Sequence, residues 1–188
     1  MKTYTKTIEE PCLVIEHDTD AESPRQWDNL GFFFTKERGY KSPDGTVFPL
    51  YHIMTNTEES ARDTAHHMEL MKEEARAQGI KIKYIYPVYR YEHGNVVYKR
   101  GTAQGFDCSN CGFYIVTDES TKKECEAIID RELETYTQWC NGEVYGFTLH
   151  NERGEVEDSC WGFYDIEDIR EHLPKEYADE DLREYIKH

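Results

Sequence analysis

Long apolar runs are missing from this chain: no stretch approaches the roughly 18–20 residues of a membrane-spanning helix. The first ten residues are polar and lack the apolar core of a secretory signal, so a cytoplasmic protein is expected. Basic charge is scarce too, with 22 Lys and Arg against 38 Asp and Glu, a net charge of −16. Binding nucleic acid requires clustered Lys and Arg to neutralise phosphates, and an anionic membrane surface makes the same demand. Both partners are therefore disfavoured, and basic protein surfaces remain the natural ones. The chain has no P-loop, no GxGxxG, no nucleophile elbow, no internal repeat and no low-complexity linker, which removes the usual sequence signatures of nucleotide binding and nucleophilic catalysis.

Aromatic residues are plentiful, with 14 Tyr, 8 Phe and 3 Trp among 188 residues. Disordered acidic chains are poor in aromatics, so this one is expected to fold, with a heavily charged exterior around an aromatic core. The charge is unevenly spread. Residues 1–117 carry 17 acidic and 14 basic side chains, and residues 118–188 carry 21 and 8, for nets of −3 and −13. Like charge concentrated in this way costs stability and brings solubility or attraction to something positive.

The length suits one domain over 1–188, with 165–188 as an acidic helical tail. Short strands are expected over 12–17, 30–35, 80–91, 96–99 and 112–116. Pro87 suggests a bulge or an edge position, and His93-Gly94-Asn95 a hairpin turn. Residues 56–79 read as one helix, with Asn56 and Glu59 at capping-box spacing, Gly79 at its end, and Ala61, Ala65, Met68, Met71 and Ala75 as its apolar stripe. A second helix is expected over 121–140, capped by Thr121 and Glu124, with Cys125, Ile129, Leu133, Tyr136 and Cys140 inward. Residues 143–151 and 155–164 form a hairpin around Arg153-Gly154, and the remainder reads as short helices broken at Pro174. Hairpins outnumber crossovers. The expected fold class is α+β, a mostly antiparallel sheet with two main helices packed on one face and short C-terminal helices.

Few groups could carry chemistry. Cys108-Ser109-Asn110-Cys111 is half of a zinc knuckle, and a structural site needs four ligands. No second CxxC exists, and no metal or cofactor is expected. The six cysteines are expected to be reduced. His66 and His67 are neighbours on a helix, so they point roughly 100° apart and do not converge on one ion; one is expected half-buried and the other exposed. The acid pairs Glu157-Asp158, Glu167-Asp168 and Asp179-Glu180-Asp181 arise readily in a chain this acidic, so no catalytic residue is assigned. The stretch Asp158-Ser159-Cys160-Trp161-Gly162-Phe163-Tyr164 carries bulk on both faces, which places it in a central strand with Trp161 in the core.

Several segments resemble one family. Pro24-Arg25-Gln26-Trp27-Asp28-Asn29-Leu30-Gly31 resembles the PRxWDNLG opening of small proteins carried by phages, plasmids and other mobile elements of Gram-positive bacteria. Pro87-Val88-Tyr89-Arg90-Tyr91 is similar to that family's PLYxYxH strand. Glu134-Thr135-Tyr136, Gly142-Glu143-Val144-Tyr145-Gly146-Phe147 and 158–164 resemble its C-terminal half, ending in DSCWGFYG. Where the family reads WDSGQVGFIYV, this chain has Phe106-Asp107-Cys108-Ser109-Asn110-Cys111-Gly112-Phe113-Tyr114-Ile115-Val116, so the cysteine pair lies outside the shared pattern. The resemblance implies a mobile-element setting and supplies no catalytic residue.

Small acidic proteins in that setting often disarm host defences such as CRISPR nucleases and restriction enzymes, which expose basic channels for nucleic acid. The expectation is a non-enzymatic inhibitor whose acidic C-terminal third covers a basic nuclease surface, a CRISPR effector first and a restriction enzyme second. The candidate partner-binding residues are Glu152, Glu155, Glu157, Asp158, Glu167, Asp168, Glu171, Glu176, Asp179, Glu180, Asp181 and Glu184; taken singly, each also reads as a solvated surface acid. A counter-defence enzyme or nucleotide-sequestering protein is the alternative, for which only short basic patches such as Lys81-Ile82-Lys83 and Lys99-Arg100 are at hand. A phage accessory or structural protein is the second alternative.

Overall fold

A computed structural model of the chain describes residues 13–46, 49–117 and 121–187. The polar N-terminal stretch and Cys12 lie outside the described residues. Where the sequence reads as one domain, the chain divides into two compact units, one formed by residues 22–141 and the other by residues 1–21 and 142–188.

The larger unit is built on a four-stranded antiparallel sheet of β2 (Phe32–Thr35), β3 (Tyr84–His93), β4 (Asn95–Arg100) and β5 (Cys108–Val116), in the order β2-β5-β3-β4. The turn at Gly94 joins β3 to β4 as its residue types imply, pairing His93 with Asn95. Of the two readings of Pro87, the bulge is realised: β3 lies between β5 and β4, and its register with β5 shifts at Val88/Tyr89.

Helices cover both faces of this sheet, not one. On one side α3 (Lys122–Cys140) packs Cys125, Ile129, Leu133 and Tyr136 against Phe33, Tyr86, Tyr98 and Tyr114. On the other, α1 (Leu50–Glu58) and α2 (Thr64–Ala77) pack Ile53, Met54 and Met71 against Phe34, Ile85, Phe113 and Ile115. The reason is legible in β2 and β5. Phe32-Phe33-Phe34 and Phe113-Tyr114-Ile115-Val116 are unbroken apolar runs, and a strand with no polar face must be covered twice.

The capping box expected for α3 is present, with Thr121 and Glu124 bonding reciprocally. The helix expected over 56–79 is instead two helices. Asp63 adopts an extended conformation and its carboxylate accepts from the His66 backbone N–H at 2.7 Å. This cap starts α2, while Asn56 lies inside α1. The inward face of α2 is then His67, Met71 and Ala75, spaced four apart, while Ala65 is exposed.

The smaller unit has a three-stranded antiparallel sheet of β1 (Leu13–His17), β6 (Tyr145–His150) and β7 (Val156–Phe163), ordered β1-β6-β7. Leu13, Ile15, Phe147 and Leu149 form its core with Ile169, Tyr177 and Leu182. Those last three come from α4 (Ile166–Ile169) and the 3-10 turns at Lys175–Tyr177 and Leu182–Tyr185. The acidic segment 165–188 is thus part of the packed unit. Arg170 secures it: one guanidinium nitrogen donates to the carbonyls of Tyr177, Ala178 and Glu180 at 2.7, 2.9 and 3.1 Å.

Trp161 is not in a central strand or in the core. β7 lies at the sheet edge, and Trp161 is 46% exposed. Its ring lies flat over Gly146, its cross-strand partner, where a Cβ would sit 2.0 Å from the indole. A bulge at Gly162 (φ +90) breaks the alternation, so Phe163 faces the core and Trp161 does not.

Candidate functional site: an acidic unit and an arginine-centred loop

All twelve candidate acids belong to the smaller unit, and all are exposed. Glu152 and Glu155 lie at the β6–β7 turn, Glu157 and Asp158 on β7, Glu167 and Asp168 on α4, and the rest on the turns that follow. Folding adds acids that sequence position alone assigned to the near-neutral half. Glu16, Asp18 and Asp20 come from the N-terminal segment because β1 pairs with β6. The unit carries 19 acidic and 7 basic side chains, a net of −12 in 68 residues, leaving −4 for the 120 residues of the larger unit.

Several of these acids also do local structural work. Asp181 caps the last turn through the Arg183 N–H, Glu155 accepts from the Asn151 side chain, and Glu167 pairs with Arg170 at 2.6 Å. Glu171, Glu176, Asp179 and Glu184 make no such bond.

The PRxWDNLG-like segment builds a second feature, in the larger unit. Arg25 is buried, with 3% of its side chain exposed, and every guanidinium N–H direction is taken. Nε and Nη2 grip Asp44 at 2.9 and 2.8 Å, Nη1 donates to Asn29 and Glu132 at 3.0 Å each, and Nη2 also reaches the Gly31 carbonyl. Burial pulls the guanidinium pKa down, but Asp44 overcomes it and holds Arg25 firmly charged. Glu132 also receives the Tyr114 hydroxyl and the Leu30 N–H. Gly31 is required by close approach: a Cβ there would meet the Ile115 carbonyl oxygen at 2.3 Å. This frame holds Trp27, 51% exposed, beside an open cleft of about 800 Å³ lined in part by Gln26, Asp28, Phe32 and Pro43. Sequence reasoning singled out the segment for resemblance only. Its structural signal is Arg25 with Asn29 four residues on, but Asp44 and Glu132 are brought in by the fold.

The remaining chemical candidates have structural roles. His67, the more buried of the two histidines, places Nε2 2.9 Å from the Met54 carbonyl and packs edge-on against Phe113. Cys111 is buried with its thiol bonded to the Val88 carbonyl, and burial raises its pKa, the opposite of an activated thiolate. Cys108 is half-buried, and among the described residues no three His, Cys, Asp or Glu side chains converge as metal ligands. No helix among them is long and apolar enough to cross a membrane. No protein-family model, curated protein or solved structure matches this chain.

Proposed function

We propose that this protein is a mobile-element inhibitor of a bacterial defence nuclease, a CRISPR effector first and a restriction enzyme second, acting by covering a basic nucleic-acid-binding surface. The observation that carries the reading is the concentration of charge: a 68-residue unit with a net of −12, displaying all twelve candidate acids to solvent. Such a surface raises association rates with basic partners and makes them salt-sensitive. The family resemblance supports the biological setting. An enzymatic reading has less support, because Arg25, His67 and Cys111, the buried groups that could carry chemistry, are each engaged in bonds that hold the fold.

The test uses purified CRISPR and restriction nucleases in a DNA-cleavage assay, followed by a variant with Glu171, Glu176, Asp179 and Glu184 changed to Lys. The side chains of these four make no bond in the fold and reversing them relieves like-charge repulsion, so melting should not fall while the net charge of −16 is halved. Inhibition should weaken, mainly through slower association. A variant as potent as the parent at both low and high salt would reduce the acidic surface to a solubility feature and shift attention to the Trp27 loop.

A further inference from the structure

Among the described residues four strands lie at sheet edges, and unpaired edges are liabilities that folded proteins close. Three are closed by specific bonds. The edge of β1 is covered by the C-terminal segment: Ile15 bridges to Ile186 and its carbonyl accepts from the Lys187 N–H at 2.8 Å. The edge of β2 is covered by the following loop: the Phe33 N–H donates to Asp44 at 2.5 Å, the Thr35 N–H to Ser42 at 3.2 Å, and the Asp44 N–H returns to the Phe33 carbonyl. The edge of β4 is covered by side chains of α3 and of Asn141, its C-terminal cap. The Val96 N–H donates to Asn141 at 3.0 Å, Asn141 donates back to the Val96 carbonyl, and the Tyr98 N–H donates to Thr137.

The edge of β7 has no such cover among the described residues. The side-chain bonds to its backbone are local: the Ser159 N–H donates to the carboxylate of its own neighbour Asp158 at 2.8 Å, and the Cys160 thiol to the Trp161 carbonyl at 4.0 Å. The Ser159 bond shows which way the ladder faces: Ser159, and by alternation Trp161, point their amides away from β6. Bulges at either end, where register shifts at Leu149/His150 and Tyr145/Gly146, leave Asp158 to Trp161 as a regular stretch.

We infer that the open edge of β7 receives an extended, basic segment of the partner protein as an added strand. The inference rests on the proposed reading and names how the partner docks. Main-chain pairing supplies the bonds, and the acids supply the choice of partner. Glu155, Glu157 and Asp158 flank or occupy the edge within a unit of −12, so a second copy of the chain is repelled while a Lys- or Arg-bearing strand is drawn in.

The probes are two peptides of about nine residues, long enough to span the strand at roughly 3.3 Å per residue. One alternates Lys with Val; the other alternates Lys with Pro, carries the same charge and cannot join a ladder. The Lys-Val peptide should bind at least about tenfold more tightly, the equivalent of roughly 1.4 kcal/mol. It should slow hydrogen exchange at the Ser159 and Trp161 amides. Ser159→Pro removes an outward donor without removing a bond to β6, and should abolish the preference. If that variant melts early, the peptide pair on the unaltered protein decides. Equal binding of both peptides would overturn strand addition while leaving the acidic-surface reading intact, since charge alone would then explain attachment. No binding of either would also overturn it, with nuclease inhibition judged separately. A dimer of the chain alone that protects the same amides would overturn the choice of a basic partner.

Discussion

At the scale of single residues, exposure and pairing decide what a substitution costs. Arg25 sits among Asp44, Glu132, Asn29 and Gly31 with almost no solvent contact. Removing one member of a buried ion pair strands the other charge, so Arg25→Ala should cost about 3–5 kcal/mol. Arg25→Lys should recover only part of that, because an ammonium cannot reproduce the fork; equal chemical stability of Lys and parent would sink this account. Trp161→Ala should cost only about 1 kcal/mol, the scale of a cross-strand pair, in place of the roughly 3–5 of a buried Trp. A denaturant melt distinguishes the two. Cys108 and Cys111 should hold no metal, and near-stoichiometric zinc that resists chelation would refute that.

At the scale of elements, the layer of α3 against β3, β4 and β5 is unusually rich in buried phenols. Burial raises Tyr86 to about 12 and lifts Tyr98, Tyr114 and Tyr136 further still. The folded state thus favours the neutral phenol more than the unfolded state does. The stability this gives is complete below the unfolded value of about 10 and is lost as pH rises through about 12 and beyond. A titration followed by tyrosinate absorbance and circular dichroism should show these four ionising only as the sheet unfolds. Ionisation of all 14 tyrosines near pH 10 with the fold intact would contradict the packing described.

At the scale of the whole molecule, self-repulsion is the dominant electrostatic fact. Raising salt from about 0.01 to 1 M shortens the screening length from roughly 30 to 3 Å. Melting temperature should therefore rise with salt, most for the unit that carries −12. A fall would mean that attractive ion pairs such as Arg25–Asp44 outweigh repulsion. The same charge predicts no binding of DNA or RNA at physiological salt. A mobility shift at low micromolar protein that survives moderate salt would count against covering a nuclease and favour competition for the nucleic acid.

Local chemistry in the sequence was enough to place most elements. The Thr121–Glu124 box, the His93-Gly94-Asn95 turn and the Arg153-Gly154 hairpin each act within a few residues, and all three stand as read. The α+β class followed from those same short-range signals. What needed tertiary structure was every property set by neighbours distant in the chain. Asp63 caps α2 while Asn56 lies inside α1, and the break lets both helices face the sheet. Trp161 is exposed because its side chain lies on the face away from the core, where the bulge at Gly162 turns only Phe163 inward. The acids at 16–20 join the C-terminal cluster because β1 pairs with β6. Composition counts charge along the chain; only pairing across it decides which charges share a surface.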